Sequence, residues 1–113
     1  MKLLNYVQHP VNVVKNGNTV VIESSGFAKV NEQRQFIETV DFDGIGEIDL
    51  VRNNTDNVVG LPDPVEGVMY IVSGIVLKNT LRTDVIAPGT GPNNSAIRNE
   101  KGHIVGIVEL VVA

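Results

Sequence analysis

The stretch Val11-Asn12-Val13-Val14-Lys15-Asn16-Gly17-Asn18-Thr19-Val20-Val21-Ile22 sets the character of the chain. Two β-branched runs, 11–14 and 19–22, flank an Asn-Gly pair, and Asn-Gly supplies the two positive φ angles that a tight hairpin turn requires. A β-hairpin is therefore expected here. The same signals recur outward in both directions. Ser24-Ser25-Gly26 reads as a turn, followed by a short strand over 27–30. The segment 34–40 reads as a strand, Asp43-Gly44 as a turn, and 45–52 as a strand with Ile48 and Leu50 on one face and Glu47 and Asp49 on the other. Asn53-Asn54-Thr55-Asp56-Asn57 reads as a polar turn, because Asn and Asp bond locally to backbone and tolerate left-handed geometry. Leu61-Pro62-Asp63-Pro64 must be extended, since each Pro pushes its predecessor out of the helical region.

Residues 68–72 have the apolar density of a buried strand. From Ser73 the spacing loosens: Ile75, Val76, Leu77, Thr80 and Leu81 fit two turns of helix with Ser73 as N-cap, which makes 73–81 the one expected helix. Residues 87–95 hold two Gly, two Pro and two Asn and read as a loop. Ala96–Arg98 then pairs through Asn99-Glu100-Lys101-Gly102 with a final strand over 103–112, whose apolar residues on both faces predict a central or interface position. The expectation is one α+β domain spanning 1–113, mainly β, with an antiparallel sheet built from hairpins and one short helix.

Composition agrees. Of 113 residues, 42% are hydrophobic but only 4% aromatic, so the core must be built from Val, Ile and Leu, which favours strands. The absence of Cys excludes disulfides, thiolate metal ligands and a cysteine nucleophile. A formal charge of −4 and a pI near 5.0 argue against nucleic acid and anionic membranes as partners. The charge is uneven. Residues 38–56 hold six acids and one base, a balance of −5, whereas 78–103 hold four bases and two acids, a balance of +2. Neither an apolar run of spanning length nor a secretory leader is recognised, so a soluble cytoplasmic protein is expected.

Motifs for chemistry are sparse. Aligning Asp41 with position 1 of a calcium loop puts Gly46 at position 6 but Arg52 at position 12, where a bidentate Glu must stand, which rules out an EF-hand. Gly89-Thr90-Gly91-Pro92 lacks the Gly-Lys-Ser/Thr ending of a phosphate loop. His9 and His103 have no ligand spacing, and Ser73 lacks the preceding Gly of a nucleophile elbow. No metal, no cofactor and no catalytic residues are expected, and the chain is read as a binding protein rather than an enzyme. The polar groups best suited to a ligand are Arg82 and Arg98, which can grip phosphate oxygens bidentately, with Ser73, Asp84 and Asn99 as further polar contacts and Tyr70 as a stacking face. The loop carrying Asn93 and Asn94 would lie over the ligand. Each has an ordinary structural alternative: a helix cap for Ser73 and Arg82, and a hairpin turn for Arg98.

Taken in order, Gly60-Leu61-Pro62-Asp63-Pro64, Gly67-Val68-Met69-Tyr70-Ile71-Val72-Ser73, Arg82-Thr83-Asp84, Pro88 and Arg98-Asn99-Glu100-Lys101-Gly102-His103-Ile104-Val105-Gly106, with His9-Pro10 and Ser25-Gly26 before them, resemble a group of small phage and prophage proteins. Within that group the chain resembles the Thoeris anti-defence sponge proteins. The resemblance implies a homo-oligomer that sequesters a cyclic ADP-ribose-type or cyclic-nucleotide immune signal without cleaving it. It places Lys29, Tyr70, Arg82, Asn93 or Asn94, and Arg98 near a small anionic nucleotide-derived ligand. The alternative is a phage structural or protein-interaction module.

Overall fold

The computed structural model describes residues 1–113, apart from the side chains of Thr55 and Asp56. The elements run β1 (Lys2–Asn5), β2 (Val11–Lys15), β3 (Asn18–Ile22), β4 (Lys29–Phe42), β5 (Gly46–Val59), β6 (Val68–Ile71), α1 (Gly74–Lys78), β7 (Val85–Pro88), β8 (Ile97–Arg98), β9 (Ile104–Gly106) and β10 (Leu110–Val111). The protein is mainly β with one short helix, as its residue pattern predicts, although α1 ends at Lys78 with Asn79 as its C-cap and does not extend through Thr80 and Leu81. None of its helices is long and apolar enough to cross a membrane among the described residues.

Three antiparallel hairpins, β2–β3, β4–β5 and β8–β9, surround a four-stranded sheet of order β1-β6-β7-β10. The first hairpin closes where expected: Lys15 pairs with Asn18, and Asn16 and Gly17 take φ of 52° and 75°. Both central residues are left-handed, the geometry that matches strand twist. In the central sheet β1 and β7 both run parallel to β6, and β10 runs antiparallel to β7. The parallel β6–β7 pair needs a crossover, which α1 supplies.

Parallel strands bury both faces, and the period of two is visible residue by residue. Tyr70, Val72, Val85 and Ala87 pack on one side with Ala28, Val76 and Leu77. Ile71 and Ile86 pack on the other with Val7, Val11 and Ile107. Asn5 is the buried polar residue among the described ones, at 0% exposure. Its Nδ2 donates to the carbonyls of His9 and Ile22 at 2.8 and 2.9 Å, and its Oδ1 accepts from the Val7 amide at 2.9 Å. This one side chain ties β1 to the first hairpin with its polar atoms satisfied.

Three further expectations are corrected. Residues 53–57 form no turn; they continue β5, which pairs with β4 along its length. Local turn preference yields here to the ladder, and the Asn54 Nδ2 donates to Gln35 Oε1 at 3.0 Å across the strands. The side chains of Thr55 and Asp56 lie outside the described residues. Ser24-Ser25-Gly26 likewise forms no turn: Ser24 bridges Asn5, and its hydroxyl donates to the Val7 carbonyl at 2.6 Å. The final segment is not one central strand. It breaks after Ile107, so that β9 serves the third hairpin and β10 the edge of the central sheet, leaving Val105, Val108 and Leu110 exposed.

Candidate functional site

Five of the predicted site residues fall into two clusters, and Lys29, Ser73, Asn93 and Asn94 lie outside both. Tyr70, Arg82 and Asp84 form the first cluster. Tyr70 lies on β6, and its amide donates to the Asp84 carbonyl just before β7, so the parallel pairing brings these residues together. Arg82 Nε and Nη2 donate to Asp84 Oδ1 and Oδ2 at 2.9 and 2.6 Å, and Nη1 donates to the Pro62 carbonyl at 2.6 Å. The guanidinium carbon sits 5.7 Å from the Tyr70 ring centre, and Tyr6 meets that ring edge-on at 5.4 Å. Tyr70 is only 2% exposed, and its hydroxyl donates to the Asp63 carbonyl at 3.4 Å.

The chemistry of this cluster is that of a brace. All three guanidinium nitrogens are engaged, and the bidentate Arg82 hydrogen bonds hold the Asp84 carboxyl below its ordinary pKa while raising that of Arg82. The pair anchors the Pro62–Asp63 segment to the sheet, and Tyr70 offers no open stacking face. A basin of about 250 Å³ beside it is lined by residues 80–83, Val85, Val112 and Ala113. Ser73 follows β6 and caps α1, its hydroxyl accepting from the Val76 amide at 3.4 Å.

The second cluster is the β8–β9 hairpin. Asn99 builds its turn: Oδ1 accepts from the amides of Lys101 and His103, both at 3.0 Å, and its carbonyl accepts from Gly102, which takes φ of 80°. The Arg98 Nη1 donates to the Gly102 carbonyl at 2.8 Å. Across this turn opens a basin of about 620 Å³ lined by Arg98, Asn99, Glu100, Lys101 and His103, all of them exposed. Arg98, Lys101 and His103 line it together with a single acid, Glu100. Lys101 and His103 were not among the predicted site residues. Their signal was the unbroken polar run Arg98-Asn99-Glu100-Lys101-Gly102-His103 through a tight turn, which gathers the residues on both of its sides.

Asn94 stabilises its own loop, its Oδ1 accepting from the Gly91 amide at 3.1 Å, while Asn93 is exposed. Lys29 is exposed at the start of β4, opposite Val59. Among the described residues no hydrogen bond or ion pair joins the two clusters, and no group of three His, Asp or Glu side chains converges as a metal site. No family model matches the chain, and no curated protein and no solved structure matches it.

Proposed function

We propose that this is a phage-encoded, non-enzymatic binding protein that captures a small anionic, nucleotide-derived immune signal in the host cytoplasm. The observation that carries the reading is the exposed basin on the β8–β9 hairpin, where Arg98, Lys101 and His103 stand around one acid. Arg98 keeps Nε and Nη2 for phosphate oxygens once Nη1 has bonded the turn. The resemblance to Thoeris anti-defence sponges supports a cyclic ADP-ribose-type or cyclic-nucleotide ligand. Sequestration needs affinity alone, so the ligand leaves chemically unchanged. Of the two arginines in the resemblance-derived set, Arg98 is the one with donors left to offer. Arg82 supports the fold around it.

A thermal-shift series with cyclic ADP-ribose isomers and cyclic dinucleotides tests this. Binding to the folded state raises stability by RT ln(1 + [L]/Kd), about 2.7 kcal/mol at a hundredfold excess over Kd. The expected outcome is a concentration-dependent rise in Tm that the double variant Arg98→Ala, Lys101→Ala loses. Both side chains are exposed, so the Tm of the unliganded variant stays within a few degrees of wild type. No rise with any of these nucleotides at millimolar concentration would overturn the proposal. A second reading, a phage protein-interaction module, is favoured by the exposed apolar residues of the β4–β5 hairpin.

A further inference from the structure

The β8–β9 basin holds an acceptor as well as cations. The Glu100 carboxylate stands in the same lining as Arg98, Lys101 and His103, and it is exposed. Among the described residues it forms no ion pair, even with the cations beside it, and it accepts no hydrogen bond. The other side-chain oxygen of the lining, Asn99 Oδ1, is already taken by the amides of Lys101 and His103. Glu100 is therefore the uncommitted side-chain acceptor of the basin, within one turn of the uncommitted donors of Arg98.

An acid beside a phosphate site narrows what can bind there. A bare anion gains from the cations but is repelled by Glu100. An anion that also carries hydroxyl donors turns the acid into a partner, because a hydrogen bond to an ionised acceptor is stronger than one between neutral groups. Ribose supplies such donors as a vicinal diol a few bonds from its 5′-phosphate, and a carboxylate on the ribose hydroxyl is a general device of dinucleotide sites. The basin offers nothing comparable to a nucleobase. Its lining has no aromatic or aliphatic side chain, and the Tyr70 ring is buried edge-on against Tyr6.

We propose that the basin recognises the ribosyl phosphate part of its ligand, with phosphate on Arg98 and Lys101, the ribose diol on Glu100, and the base left in water. This rests on the reading of the basin as the site of nucleotide capture. Glu100 then determines specificity. It lowers affinity for every anion without donors, inorganic phosphate included, and returns that loss to ligands that carry a diol. The site selects ribonucleotide-derived compounds as a class and does not distinguish one base from another.

Amide chemical-shift titrations of the β8–β9 hairpin test it, with AMP, UMP, dideoxy-AMP (which lacks both ribose hydroxyls), cyclic ADP-ribose and inorganic phosphate as probes at one pH and ionic strength. In wild type AMP and UMP are expected to bind alike, and dideoxy-AMP about tenfold more weakly, the scale of one hydrogen bond to a charged group. Glu100→Ala is expected to weaken AMP to the level of dideoxy-AMP and to strengthen inorganic phosphate. Amide shifts outside the hairpin report the fold of the variant. An acid that merely repels would, once removed, strengthen AMP and phosphate together, and a purely structural one would weaken both; either result overturns the proposal. So would equal binding of AMP and dideoxy-AMP, or a tenfold preference between AMP and UMP. Binding of cyclic ADP-ribose without AMP would overturn this proposal and leave nucleotide capture standing, whereas no response to any nucleotide would overturn both.

Discussion

The Asp84 carboxylate accepts two hydrogen bonds from Arg82, at 2.9 and 2.6 Å, with the two side chains 19% and 26% exposed respectively. Because this pairing lowers the Asp84 pKa in the folded protein, its stabilisation is fully present above the unfolded value near 3.9. It is lost as pH falls through the lower, folded value. Asp84→Asn is therefore expected to cost about 1.5–3 kcal/mol at pH 7, the range for a hydrogen bond to a charged group. The gap in Tm between variant and wild type should narrow once pH drops below about 4. Melts at pH 7 and pH 3 measure it, and a gap that is the same at both would show that the charge of Asp84 contributes nothing. Little of this brace is legible in the sequence. Arg82-Thr83-Asp84 displays two charged residues in reach of each other, but the Pro62 carbonyl that takes the third bond lies 20 positions away. Arg98 was readable because its partner, Gly102, lies within the same turn.

At the scale of elements, the features legible in the sequence are those fixed by a few neighbouring residues. Asn16-Gly17 dictates its own hairpin, Ser73 its own cap, and Gly102 its own turn. Residues 53–57 misled because their local preference is for a turn, whereas the length of β4 opposite them holds them in a ladder. The last segment misled because an apolar pattern on both faces does not distinguish a central strand from one that leaves one sheet for another. Gly60 marks where the β4–β5 hairpin, a long arm with its root in the core at Val30 and Val58, returns to the body. It takes φ of 88°, and a Cβ there would collide with the Phe27 carbonyl oxygen. Gly60→Ala should cost about 1–3 kcal/mol, combining left-handed strain with that collision. Chemical denaturation measures this as a lower midpoint with an unchanged slope. A midpoint equal to wild type would mean that the arm root is free to adjust.

Across the whole molecule, charge and shape divide together. The acidic stretch lies mainly on the arm, and the basic stretch ends in the β8–β9 hairpin on the body. The arm accounts for the elongated extents of 56 × 39 × 20 Å. The basin offers cations to a small anion, while Arg82 and Tyr70, which carry the resemblance equally well, are committed to holding the sheet. Capture of an intact signalling nucleotide is the central claim, and the direct test is to identify what the protein carries. The protein would be purified from cells with an active TIR-type defence, denatured, and the released small molecules weighed by mass spectrometry. The account predicts a phosphorylated, nucleotide-derived species at its unaltered mass, present with wild type and missing with the Arg98→Ala, Lys101→Ala variant. Release of no such species from wild type, or of its hydrolysis product alone, would contradict it.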